Sequence, residues 1–86
     1  MEKAIILVNI LNDSETTKTI DEIKKISGTI QAYTVYGVYD VVVIVEALDM
    51  NKLKEIVTYK IKKLPNIRST LTMIAVNDYS GANVKQ

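Results

Sequence analysis

The chain has 86 residues, too few for two ordinary domains, and 48% of them are hydrophobic against 24% charged, a globular balance. Its 11 basic and 10 acidic residues nearly cancel, which argues against a surface built to grip nucleic-acid phosphates. With no Cys and no His, the sequence excludes disulfides, thiol catalysis, the commonest transition-metal ligands and the usual neutral-pH general base.

Lys3 to Asn12 is a β-branched, Leu-rich run closed by Asn12, Asp13 and Ser14, and it is predicted as a strand. Its apolar stretch, Ala4 to Leu11, is far shorter than the ~20 residues of a membrane span, and no signal-peptide cleavage pattern flanks it. The expectation is therefore a cytoplasmic protein with no membrane association. Asp13 or Ser14 can cap a helix with apolar positions Ile20, Ile23 and Ile26, which Gly28 ends. Thr29 to Tyr36 alternates as a second strand, Gly37 breaks it, and Tyr39 to Ala47 is almost continuously apolar. The two make a hairpin. Asp49 is a good cap for a second helix with the stripe Leu53, Ile56, Val57, Ile61 and Leu64, stopped by Pro65. Asn66 to Val76 is a fourth strand. The domain is thus placed at residues 1–76, with 77–86 a polar C-terminal tail.

The two halves echo each other. Ile23-Lys24-Lys25-Ile26-Ser27-Gly28 matches Ile61-Lys62-Lys63-Leu64-Pro65-Asn66 at one fixed offset, which also lays the first strand on the third. Two βαβ units give βαββαβ, an α+β ferredoxin-like fold with a four-stranded antiparallel sheet and both helices on one face. A monomer of this kind should alternate apolar and polar along its strands. The two central strands do not: Ile5, Leu7 and Leu11 back onto Ala4, Ile6, Val8 and Ile10, and Val42 and Ile44 back onto Val41, Val43 and Val45. An open apolar patch of that size needs a cover, and a second copy packed by two-fold symmetry supplies one. The fold is expected to dimerise through its other face.

Candidate site residues each have a plainer reading. Gly37 can let a backbone approach a ligand carboxylate and Asp40 can accept from an ammonium, yet both suit an ordinary turn. On the last strand, Leu71, Met73 and Ala75 are expected in the helix-packed core, leaving Thr70 and Thr72 on the partner face. Their plainer reading is strand propensity. Arg68 can pair with a carboxylate or simply be a solvated rim charge. Lys24, Lys25, Lys60, Lys62 and Lys63 complement helix C-termini, while Glu46 has no partner visible in the sequence. No carboxylate pair, Ser–base pair or phosphate loop suggests an enzyme, and the central strands lack the aromatics of an RNA-recognition sheet.

Tyr36-Gly37-Val38-Tyr39-Asp40 running into Val41-Val42-Val43, joined to Leu64-Pro65-Asn66-Ile67-Arg68-Ser69-Thr70-Leu71-Thr72, resembles the effector domain of the Lrp/AsnC (leucine-responsive regulatory protein) family, the regulation-of-amino-acid-metabolism (RAM) domain. The resemblance runs from about Ala4 to Val76. It implies sheet-to-sheet dimers, rings of dimers, and a small amino-acid effector held between subunits. It assigns the ligand loop to Gly37, Val38, Tyr39 and Asp40, and polar contacts to Ser69, Thr70 and Thr72, with no cofactor or metal. Full-length members carry an N-terminal helix-turn-helix domain, whereas this sequence starts at the first strand. The expectation is a stand-alone member with no direct DNA binding that senses amino acids or modulates full-length Lrp/AsnC-type regulators by mixed assembly. The competing readings are a purely structural oligomer and a dimeric α+β-barrel enzyme. An amino-acid-binding ACT domain fits the topology, but Asn12-Asp13-Ser14 stands where its Gly-rich turn belongs.

Overall fold

In the computed structural model, which describes residues 1–79 and 81–82, the strands are β1 (Glu2–Ile10), β2 (Thr29–Thr34), β3 (Val41–Ala47) and β4 (Ile67–Ala75). Helix α1 (Thr16–Lys24) follows a 3-10 turn over Asp13–Glu15, and α2 (Met50–Glu55) continues as a π-helix over Ile56–Ile61. The strands form one antiparallel sheet in the order β2-β3-β1-β4, the ferredoxin-like arrangement expected. Among the described residues no helix is long and apolar enough to cross a membrane. The described part of the tail, 77–79 and 81–82, has no regular structure; the rest lies outside the described residues.

Local chemistry sets the junctions. The first helical turn is capped by Asn12, not by Asp13 or Ser14: its side-chain oxygen accepts from the Ser14 amide at 3.1 Å and the Ser14 hydroxyl at 2.9 Å. Asp49 caps α2 as expected, accepting from the Lys52 amide at 2.8 Å. β1 accordingly stops at Ile10, two residues before the predicted end. Asn66 adopts a left-handed φ of 69°, and its side chain clasps the other end of the sheet. Its amide nitrogen donates to the Asn12 carbonyl and to Thr19 Oγ1, both at 3.0 Å, while its oxygen accepts from the Asn12 amide at 2.7 Å. Both polar atoms of its side chain are used.

The internal repeat holds with one correction. The caps Asn12 and Asp49 stand 37 residues apart, whereas the two positive-φ residues that end the helical segments, Gly28 and Asn66, stand 38 apart. No single offset fits both. The extra residue in the second half is absorbed by the π-helical turn, where the Lys62 amide donates five residues back to the Val57 carbonyl at 3.1 Å. The difference matters because a one-residue slip would exchange the faces of a strand. At the offset of 37, buried Ala4, Ile6 and Val8 fall on buried Val41, Val43 and Val45.

Those residues, with Ile10 and Ala47, form the helix-side face of the central strands and pack on Ile23, Leu53, Ile56, Val57 and Ile61. Burying each such Ile or Leu stabilises the fold by roughly 1.5–3 kcal/mol. The other face has no helix over it. Its rows run Tyr33–Val42–Leu7–Leu71 and Gln31–Ile44–Ile5–Met73 across β2, β3, β1 and β4. Here Leu71 and Met73 are 47% and 43% exposed. This reverses the face expected for β4. Thr70 pairs with Val8 and Thr72 with Ile6, so the threonines lie on the helix side and Leu71, Met73 and Ala75 on the open side. The reason is position: β4 is an edge strand, the main core is built over β1 and β3, and helix-side residues at the edge need not be large.

Polar pairs mark the two ends of the open face. Glu46 is not unpaired: it lies directly across from Lys3, with Oε2 3.6 Å from Nζ. At the opposite end Asn9 Nδ2 donates to Ser69 Oγ at 3.1 Å.

Among the described residues, Thr72 Oγ1 is buried without a hydrogen-bond partner. Replacing it by the similarly shaped Val removes an orphaned hydroxyl. Thr72→Val should therefore stabilise the protein by about 1 kcal/mol, raising Tm in a thermal melt by roughly 4–8 °C.

Candidate functional site

The segment between β2 and β3 carries most of the residues singled out in the sequence. It spans Val35 to Asp40, longer than a tight hairpin, because Tyr39 and Asp40 precede β3 instead of starting it. Val35 and Asp40 close its base, the Val35 amide donating to the Asp40 carbonyl at 3.0 Å. Tyr36 and Val38 project fully into solvent at the tip. Gly37 has a φ of 146°, which L side chains rarely adopt, with open space around it.

Asp40 joins this loop to the sheet. Its amide donates to the Val8 carbonyl at 2.9 Å, and its carboxylate Oδ2 accepts from the Ile10 amide at 2.8 Å. It thus continues the β1–β3 ladder with a side chain, which is the capping role expected of an ordinary turn residue. One carboxylate oxygen remains without a protein hydrogen bond among the described residues.

Asp40, Val38, Asn9, Ile10, Asp13 and Arg68 line a shallow cleft of about 370 Å³ at this end of the sheet. Its polar groups are of both signs: the Arg68 guanidinium against the Asp13 and Asp40 carboxylates. Such a set matches an ion carrying both a carboxylate and an ammonium group. Of the residues considered from sequence, Val38, Asp40 and Arg68 line this cleft. Ser69 faces the open side beside Asn9, and Thr70 and Thr72 point to the helix side. Ser69 and the threonines therefore do not share a surface of one chain. Asn9 and Asp13 were not anticipated; a polar residue within the apolar β1 run was the available signal for Asn9.

The model of the Lrp/AsnC ligand binding domain matches residues 3–83, which takes in all four strands, both helices and the cleft. The chain belongs to that family. Among solved structures of the family's fold, FFRP-DM1 is 34% identical, with a TM-score of 0.82 over 88% of this chain and 100% of its own. A hypothetical protein, PHS023 from Pyrococcus horikoshii, is 33% identical, with a TM-score of 0.81 over 92% of this chain and 94% of its own. The transcriptional regulator NMB0573 from Neisseria meningitidis, solved as an L-Met complex, is 14% identical and shares the fold, with a TM-score of 0.82. This chain is covered to 93% in that match and the regulator to 53%. No curated protein matches the chain.

Because the Asp40 carboxylate satisfies the Ile10 amide, shortening and neutralising it should separate in their effects. Asp40→Ala leaves that amide without its acceptor and should lower stability by about 1–3 kcal/mol in denaturant melts. Asp40→Asn keeps an acceptor oxygen and should stay within roughly 1 kcal/mol of the parent.

Proposed function

We propose that this Lrp/AsnC ligand-binding domain is a regulatory module that binds a small amino-acid effector and acts through face-to-face assembly, without catalysing a reaction. The observation that carries the effector reading is the cleft beside Asp40, where one guanidinium and two carboxylates stand together. Arg68 would take the effector's carboxylate, and Asp13 with the free oxygen of Asp40 would take its ammonium. Gly37, Val38 and Tyr39 would close over the ligand from the loop. Ser69 would reach it from the open side and Thr70 only from another copy, while the Thr72 hydroxyl, buried on the helix side, would stay out of contact with the ligand. The cleft of one chain is shallow, so neighbouring copies in a ring of dimers would complete its walls. The neisserial regulator of the same fold, crystallised with L-Met, supports an amino acid as the class of ligand.

The apolar rows around Leu7 and Ile5 support the dimer. Such a module would sense amino acids itself or alter larger Lrp/AsnC-type regulators by mixed assembly, and its nearly balanced charge gives this domain no basic surface for DNA. The cytoplasm is the compartment in which such a role is carried out. A purely structural oligomer is the second reading, favoured by the open face alone.

A thermal-shift screen against the common amino acids tests the effector. A true ligand at about ten times its Kd adds roughly 1.4 kcal/mol, which in a chain of this size raises Tm by about 5–10 °C. Arg68→Met should abolish that shift while leaving the unliganded Tm in place. A flat response to the whole panel at millimolar concentrations overturns the effector reading in favour of the structural oligomer.

A further inference from the structure

Among the described residues the open face carries one ion pair, and its position is informative. Lys3 and Glu46 are directly opposite on the two central strands, at the end of the face away from the Asp40 loop. Their side chains are only 39% and 28% exposed, beside Ile5 and Ile44. We infer that this pair fixes the orientation in which a second copy covers the open face: like ends meet, and Lys3 and Glu46 of the two copies close a ring of four alternating charges. The inference rests on the face-to-face assembly proposed above and adds to it the direction of the two-fold axis.

The geometry leaves two simple ways to stack two such sheets with aligned strands. With the axis parallel to the strands and above the line between β3 and β1, each β1 lies over the other copy's β3. Lys3 then faces Glu46 of the second copy, and Glu46 faces its Lys3, as an isologous contact requires. Every charge in the ring has neighbours of opposite sign. With the axis perpendicular to the strands, unlike ends meet. Lys3 then falls opposite Asn9 of the second copy, and Glu46 moves towards the end that holds its Asp40, carboxylate towards carboxylate. The first arrangement satisfies all four charges, whereas the second separates them and opposes two acids. A like-charge juxtaposition in an interface is costly, so the pair selects between packings that the apolar rows alone would both permit. Met1 and Asp78 join Lys3, Glu46, Ile5 and Ile44 in lining a second cleft, at this end of the face.

The test uses the full chain with Lys3→Glu, with Glu46→Lys, and with both changes together. Each single variant should put four like charges in its own ring, raising the concentration at which half the protein is monomeric about ten-fold or more. Mixed in equal amounts, the two single variants should form a heterodimer in native mass spectrometry well beyond the statistical share. The double variant, with the pair exchanged within one chain, should self-associate like the parent, and circular dichroism of all three should match the parent. Statistical mixing, with the parent and both single variants equally dimeric, overturns the orientation and leaves the dimer intact. A parent that stays monomeric at high concentration means that a different protein covers this face, and it overturns the dimer and the orientation together.

Discussion

Apolar side chains on both faces of β1 and β3 are the constraint from which the rest of this structure follows. Two helices cover one face of a four-stranded sheet and leave the other bare. On the covered side, Ala4, Ile6, Val8, Val41, Val43 and Val45 are completely buried. On the bare side, Ile5, Leu7, Val42 and Ile44 are only half-buried. Water over that surface is unfavourable in proportion to its area, and association removes it without requiring more chain. The polar pairs at its ends, Lys3 with Glu46 and Asn9 with Ser69, bound the apolar rows.

The same economy shapes the cleft. β1 ends at Ile10, and its last amide would lack an acceptor but for the Asp40 side chain. This holds the loop tip, with Tyr36 and Val38, clear of the sheet while fixing its base. Arg68 at the start of β4 and Asp13 after β1 reach the same end because β1 and β4 are paired neighbours and Asn66 ties the β4 entry to Asn12. A loop anchored in this way supplies charged groups at fixed places without a deep pocket in any one chain. In the proposed assembly, completion by another copy would link occupancy to assembly, which is how a ligand acquires regulatory leverage.

The topology was legible in the sequence because its signals are local. Asp49 and Pro65 bracket the second helix, Gly28 takes the positive φ expected after the first, and the β-branched runs fall on strands. The two-faced central strands were legible for the same reason. The facing of β4 was not. Assigning Leu71 and Met73 to the core assumed that the helices make the greater demand for apolar volume, whereas at this edge the uncovered face does. The Asn66 clasp and the Lys3–Glu46 pair join residues distant in the chain, so no local pattern announces them. The π-helical turn is one extra residue, visible only once both caps are fixed in space. Of the cleft, the Asp40 loop was found from its motif, but Asn9 and Asp13 come to it only through the fold.

The central claim is that the open face is an interface between copies, and sedimentation equilibrium of the parent beside Leu7→Asp tests it most directly. Leu7 sits in the middle of the apolar rows, half-buried and away from the helix-side core. The account predicts a dimer or a multiple of it for the parent, and a folded monomer for the variant. A variant that keeps the parent's mass while retaining its circular dichroism would contradict it.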